Sequence, residues 1–548
     1  MRSNFTKNRF IFYSLFLLGT IAASCKKSDP VVNNPIPGGG GNVASGTRSQ
    51  QTLDSLFLYA KQIYFWNDAL PDYNSFNPRQ YSSQSLPLDN YNAELYALSQ
   101  IKINPATGKP YEYFGDGAPK YSYIQDLTLV NPSASSSINT ANVDTEGNGN
   151  DIGIRPIFYL SSNSLNGPYQ LFVTAVYQNS PAEAAGVKRG WVITKVNGQA
   201  IGTSYNAEQK NVTDALNGFS VVIEGFNFSD NVPFKLTLNK TSYKSSPVYA
   251  SKVFTKSGRK IGYLAFARFS ALTNSSSSAP SDANLDPVFS DFAGQGITDL
   301  IVDLRYNGGG YINTAQYMAN LIAPSSVNGK KMFTEIYNTT MQNGQASILA
   351  NQPLLDGNGK VQRQNGQIVN YTNLDFSQAG NTMSFVKKGS LNTVNNVVFI
   401  VSRNTASASE LVINSLKPYM NVKLVGDTTY GKPVGFFPVT LENRYEVFMS
   451  LFETRNSNNE GGYYTGMVPT VLSQFNDPRY PFGDERENYL SLALNLISPS
   501  STVNNSSSVM NIGNRNVPVS SFKSTQLKPV NPNSEFIGMI EKRHVLKK

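Results

Sequence analysis

Three short segments of this 548-residue chain carry residue types that could act together on a carbonyl group. The first, Val302-Asp-Leu-Arg-Tyr-Asn-Gly-Gly-Gly310, ends an apolar run in three glycines. A strand that ends this way before a helix turns backbone N–H groups toward one point, where an anion or a developing oxyanion can sit. It has neither the G-K-[ST] nor the G-x-G-x-x-G spacing of a nucleotide loop. The second, Asn404-Thr-Ala-Ser-Ala-Ser-Glu410, lies at another strand-to-helix junction. Ser407 to Glu410 fits a helix capping box. A serine at such a turn also presents its hydroxyl beside the next backbone N–H, as a nucleophile requires. The third, Thr429-Tyr-Gly-Lys-Pro-Val-Gly435, sets Lys432 close to Val434, Phe436 and Phe437. A lysine among apolar groups is disfavoured as a cation, so its pKa falls. A neutral amine can take a proton from a hydroxyl. The plainer alternative is a surface lysine in a turn.

Other chemistries are narrowed by counting. The chain has one Cys and one His. One Cys cannot make an internal disulfide or a Cys-based zinc site. His544 stands in the basic end EKRHVLKK, so a His-based triad or His-ligated metal would need that end inside an active site. No metal and no cofactor are expected, and a hydrolase built on this chain needs a base other than histidine. The formal charge of +9 comes from the ends: residues 1–27 and 498–548 each carry +5, leaving −1 over 28–497. The body shows no basic footprint for nucleic acid.

The elements that must position these residues begin after an export signal. Arg2, Lys7 and Arg9 precede the apolar run Phe10 to Leu18, and Ala22-Ala23-Ser24-Cys25 follows. This resembles a bacterial lipobox, with Ala22 where leucine is commonest. It implies acylation of Cys25 and anchoring in the cell envelope, on the periplasmic or surface face of an outer membrane. Ordinary signal-peptidase cleavage and an uncleaved anchor are the alternatives. Residues 26–49, with Pro-Ile-Pro-Gly-Gly-Gly-Gly at 35–41, read as a flexible tether.

Residues 50–130 predict a helical domain. Leu53, Leu56, Phe57, Ala60, Ile63 and Tyr64 recur at helical spacing, a second helix covers 91–101, and Lys120 to Ile124 reads as an extended or docking segment. The run 144–151 superficially resembles a calcium loop but reads as a turn. Residues 150–245 alternate as strands. Within them Ser180-Pro-Ala-Glu-Ala-Ala-Gly-Val-Lys-Arg-Gly190 predicts a short helix begun by Pro181 and ended by Gly186, and Asn197-Gly198 predicts a hairpin turn. This order resembles a PDZ domain, with Trp191 in place of the usual Asp. The resemblance implies β-augmentation by an extended peptide, with Gly153 and Ile154 as the matching loop. A PDZ fold that binds nothing is the alternative. Residues 255–497 repeat strand, glycine loop and helix, which argues an α/β core. Strands are predicted at 261–269, 297–304, 396–402 and 422–426, and helices at 314–322 and 408–416. The Asn- and Gly-rich stretch 326–392 reads as an insertion. Residues 498–548 read as a loosely ordered basic tail in which 536–540 could dock.

Taken together, D-L-R-x-N-x-G-G, T-A-S-A-S-E and a G-K loop with Ser407 and Lys432 spaced 25 apart resemble the S41 peptidases, the C-terminal processing or tail-specific proteases. The resemblance spans roughly 50–495 and implies a multidomain α/β protein: an N-terminal helical segment, a PDZ-like domain and a crotonase/Clp-protease-like catalytic core. It implies a serine endopeptidase acting on protein or peptide substrates, docked through a C-terminal segment. Ser407 would be the nucleophile, Lys432 the general base, and the N–H groups of Gly310 and Ala408 the oxyanion hole. Gly309, Glu410, Asp303 and Arg305 would support them. Two positions depart from the family: Pro418 stands where some members have an Asp, and Phe436 where many have a Gln. The competing expectation is a catalytically silent envelope lipoprotein that binds peptide or glycan.

Overall fold

The computed structural model describes residues 45–115, 117–128, 143–275, 279–356 and 359–499, with four short strands at 509–512, 515–518, 528–530 and 538–540. Cys25 and His544 lie outside the described residues.

Helix α1 (Arg48–Ile63) opens on Thr47 and Gln50, which cap one another reciprocally. Its buried face carries Leu53, Leu56, Phe57, Ala60 and Ile63, as the spacing predicts. Helix α2 (Pro87–Ser99) begins on a proline, whose missing N–H costs nothing in the first turn. Strand β1 (Tyr123–Asp126) follows. These elements do not close on a core of their own. Leu53, Phe57 and Trp66 belong to the same apolar cluster as Phe437, Phe448 and Ile413. The N-terminal segment is therefore a layer on the central body. Trp66 stacks on Tyr111, centroids 4.7 Å apart.

The next body contains β2 (Ile154–Leu160), β3 (Tyr169–Val176), α3 (Pro181–Ala184), β4 (Trp191–Val196), α4 (Tyr205–Leu216), β5 (Ser220–Asn227) and β6 (Pro233–Asn239). The strands lie in the order β6-β5-β4-β3-β2. Asn197 (φ 50°) and Gly198 (φ 79°) turn β4 back on itself, since two positive φ angles match the strand twist. Ile154, Leu171, Val173, Ile193 and Leu216 form a separate apolar cluster. Trp191 stacks on Phe234 at 4.3 Å.

The central body is built on β7 (Val248–Lys256), β8 (Arg259–Phe266), α5 (Leu285–Gln295), β9 (Asp299–Asp303), β10 (Gly309–Tyr311), α6 (Ile312–Ile322), β11 (Lys331–Tyr337), β12 (Asn396–Val401), α7 (Ala408–Leu416), β13 (Asn421–Gly426), β14 (Val434–Gly435), β15 (Tyr445–Phe448), β16 (Phe452–Asn456), β17 (Val471–Leu472) and α8 (Asn488–Ile497). Its main sheet runs β7-β8-β9-β12-β13-β17, parallel from β8 onward. Alternate residues serve opposite faces. Ile261, Ile301, Val398 and Val425 meet Tyr489 and Leu490 of α8. Leu264, Val302, Phe399 and Leu424 face the cluster that holds α5, α6 and α7. Burial on both faces is why these strands read as unbroken apolar runs. The stretch 326–392 is not a decoration. Its β11 pairs with β16, and Phe333, Tyr337, Phe376 and Phe385 join the main cluster. β15 pairs with β1, which fastens the N-terminal layer.

The tail supplies β18 (Lys528–Val530) on the outer edge of β2 and β19 (Gly538–Ile540) alongside β10. Among the described residues no helix is long and apolar enough to cross a membrane.

Candidate active site

The three segments singled out by residue type converge at the carboxyl ends of β9, β12 and β13, where parallel sheets expose their loops. The loop after β9 is rigidly held. Arg305 donates to Asp303 and makes two bonds to Glu487, at 2.6 and 2.8 Å, with all three groups buried. These charges hold the loop and do not reach the reacting positions. Asn307 then joins the first loop to the second: its carbonyl accepts from Ala406 N–H (3.2 Å) and from the Ser409 hydroxyl (3.1 Å). Its side chain accepts from Gly309 N–H at 2.9 Å.

Ser407 caps α7 with φ 61° and ψ −111°. This is a conformation that non-glycine residues rarely occupy, and holding it costs on the order of 1–3 kcal/mol. The hydroxyl is buried and has no hydrogen-bond partner. The predicted capping-box arrangement is present: Glu410 accepts the Ser407 N–H at 2.8 Å, and the serine side chain lies toward the Glu410 N–H without completing a hydrogen bond to it.

Glu410 does more than cap. Its Oε2 accepts both Ser407 N–H and Lys432 N–H, each at 2.8 Å. Its Oε1 accepts Gly431 N–H at 2.8 Å and the Thr429 hydroxyl at 2.5 Å. One buried carboxylate therefore fixes the second and third segments together. Burial pushes its carboxyl up against the pull of these donors.

Lys432 is fully buried. Burial brings its pKa down to about 7, opposed by the negative charges of Glu112 and Glu410 and assisted by Lys120. Its Nζ donates to the Tyr121 carbonyl at 3.4 Å and lies 4.2 Å from the centre of the Phe436 ring. Phe436 thus occupies the departure position as an apolar wall. The amine and the Ser407 hydroxyl share no hydrogen bond in this state.

Gly309 and Gly310 have φ 113° and 133°. A Cβ on Gly310 would meet the Phe269 carbonyl oxygen at 2.1 Å, so only glycine fits. Phe269 N–H donates to Gly309 O and Tyr311 N–H to Phe269 O, both at 2.8 Å. Main-chain groups alternate along a strand, so Gly310 faces the opposite edge, toward β19. Ala408 is the first residue of α7, where N–H groups have no partner within the helix.

Sequence reasoning gave no role to Glu112 or Tyr121. Glu112 is buried and accepts from Tyr64, Ser122 and Ser450 hydroxyls and from the N–H groups of Tyr121 and Ser122. It delivers Tyr121 to the lysine, and Tyr121 in turn donates to the Gly431 carbonyl at 2.6 Å. The extended reading of 120–124 was the available signal. Pro418, beyond the end of α7, offers no titratable group. In the β2 body, Gly153 N–H is already donated to Asp151 Oδ1 at 2.5 Å, and its Cβ position is closed by Ser180. Ile154 begins β2, paired with Val176. That loop offers no free Gly153 N–H to a carboxylate. The body is tied to the glycine loop by Arg189, which donates to the Tyr306 hydroxyl (2.8 Å) and to the carbonyls of Thr174, Asp477 and Tyr480.

Comparison with known proteins agrees with this architecture. The family model for peptidase family S41 matches residues 260–473, and a PDZ domain model matches 172–221. The chain is 24% identical over 319 residues to a "Probable CtpA-like serine protease" of Staphylococcus aureus (strain N315), covering 57% of this chain and 51% of that one. It is 26% identical over 263 residues to a "Carboxyl-terminal-processing protease" of Synechocystis sp. (strain ATCC 27184 / PCC 6803 / Kazusa), covering 48% and 49%. The chain spans about half the length of these relatives. A crystallised Bacteroides fragilis NCTC 9343 protein assigned to the S41 proteases shares the fold, with a TM-score of 0.52 and 22% identity over 81% of this chain and 96% of that one.

Proposed function

From the premise that this chain carries a peptidase family S41 domain behind a PDZ domain, we propose that it is a serine endopeptidase working through a Ser407–Lys432 dyad. The observation that carries this reading is the shared Glu410 oxygen, which binds the N–H groups of both residues in one buried site. A lysine brought to about pH 7 by burial is neutral often enough to act as a base. A serine hydroxyl without a partner is available to it.

In the proposed reaction, Ser407 Oγ attacks the substrate carbonyl carbon while its proton passes to Lys432 Nζ. The tetrahedral oxyanion is held by the N–H groups of Gly310 and Ala408. The Lys432 ammonium then protonates the leaving amine, and the C–N bond breaks. Water then attacks the ester, losing a proton to the now neutral Lys432 Nζ, and that proton passes to Ser407 Oγ as the ester C–O bond breaks. Formation of the Ser407–Lys432 hydrogen bond belongs to the substrate-bound state, since such contacts tighten on binding. The PDZ body would dock an extended segment of substrate by strand addition along β2. Acylation of Cys25 would hold the enzyme on a membrane of the cell envelope.

Cleavage of an unfolded polypeptide such as reduced casein tests the dyad. Ser407→Ala and Lys432→Ala should each reduce the rate by at least about 10³-fold without loss of fold. Equal rates for wild type and Lys432→Ala would refute it. Metabolic labelling with a fatty acid, absent in Cys25→Ser, tests the anchor.

A further inference from the structure

Two strand edges, one on the PDZ body and one at the glycine loop, are already taken by the chain itself. On the PDZ body, β2 pairs with β3 along one side and with β18 along the other, antiparallel, with Lys528 opposite Leu160 and Val530 opposite Phe158. Val530 is half-buried and packs on that body's apolar cluster. At the catalytic loop, β19 lies parallel to β10, with Gly538, Met539 and Ile540 opposite Gly309, Gly310 and Tyr311. Ile540 also bridges Phe436, the residue packed on the Lys432 amine, and joins the main apolar cluster. The Gly310 main chain, one proposed oxyanion donor, faces this strand. Ser407 is fully buried, whereas a nucleophile about to meet a peptide must be reachable.

We infer that the two short strands Lys528–Val530 and Gly538–Ile540 are tethered occupants of the enzyme's polypeptide track, which substrate must displace. The inference rests on the proteolytic reading above and adds the track's course: the outer edge of β2, then the edge of β10 that β19 now covers. It also adds a chemical preference. The ligand is an extended polypeptide held through its main chain, with aliphatic side chains where Val530 and Ile540 now pack. Occupation is reversible by competition, because a strand paired over three residues at each site is a small contact. Tethering raises its local concentration to roughly the millimolar range, so a weak contact still fills the track most of the time.

The experiment uses the full-length protein. Val530→Asp and Ile540→Asp place a carboxylate on each apolar contact and should release the segment. The double variant should cleave reduced casein with kcat/KM raised about tenfold, as expected if the track is open one-tenth of the time in the wild type. A synthetic peptide of residues 526–542, added in trans, should inhibit the double variant competitively. In the Ser407→Ala background it should bind the double variant and not the chain with its own segment intact. Amide exchange at Gly309–Tyr311 and Phe158–Leu160 should speed up in the double variant and slow again with peptide. An unchanged rate of cleavage, or failure of the peptide to bind the released Ser407→Ala protein, would overturn the inference while leaving the dyad in place. Peptide binding at both edges in a protein that cleaves nothing would uphold the track and remove the hydrolytic reading instead. If the double variant unfolds, Ile540→Ser alone with the same exchange readout decides the matter at β10.

Discussion

Ser407 combines two unfavourable properties, a strained backbone and an unsatisfied buried hydroxyl, and neither helps the fold. Glycine at this position would relieve the first, since φ 61° and ψ −111° are open to it. Ser407→Gly should therefore unfold at a higher temperature than Ser407→Ala, by about 1 kcal/mol in stability, with both inactive. Lys432 makes the complementary prediction. Its pKa of about 7 means that the amine is neutral and basic above that value, so kcat/KM should climb as pH rises through about 7. The same depression works on stability with a definite sign. In the unfolded chain this lysine holds its proton to its ordinary value near 10.4. Between about pH 7 and that value the unfolded state binds the extra proton, so stability rises with pH. Lys432→Met should be more stable than wild type near neutrality, with the gap closing toward pH 10 in denaturant titrations. The spacing of Ser407 and Lys432 was readable in the sequence. The role of Glu410 was readable only as a cap, because its three long-range bonds to the Lys432 loop leave no trace in local spacing.

The strand–loop–helix units were the most legible elements. The expected helix at 408–416 stands in the structure, and the strand expected at 297–304 is found at Asp299–Asp303, with the glycines beyond a loop in the separate strand β10, since parallel strands buried on two faces leave plain patterns. What could not be read is long-range pairing. The stretch 326–392 looked like an insertion because its residues are polar on average, yet β11 bonds to β16 more than a hundred residues away. The segment bearing Tyr121 gave a hint of extension and none of its destination. The glycine loop carries the prediction for this scale. Gly310→Ala places a methyl group against the Phe269 carbonyl at a φ of 133°. It should cost about 2 kcal/mol or more in stability and abolish cleavage, while Gly296→Ala, in open space at a helix end, keeps activity. Thermal melts and initial rates of the two variants give the comparison.

Across the whole molecule the divisions expected from composition are only partly those of the structure. The PDZ-like body keeps its own apolar cluster, whereas the N-terminal helices share theirs with the main sheet. Arg189 is the principal polar tie between the first of these and the glycine loop. Removing it leaves four acceptors short of a donor in a buried place, so Arg189→Ala should cost about 3 kcal/mol and split a single calorimetric transition into two. The chain's two tryptophans fall on either side of that tie, Trp66 against Tyr111 in the N-terminal layer and Trp191 against Phe234 beyond it. Replacing either by phenylalanine leaves a single tryptophan, so that emission excited beyond the tyrosine absorption band reports on one body at a time. The order in which the two bodies loosen on heating, or on adding a polypeptide, can then be watched without attaching a dye.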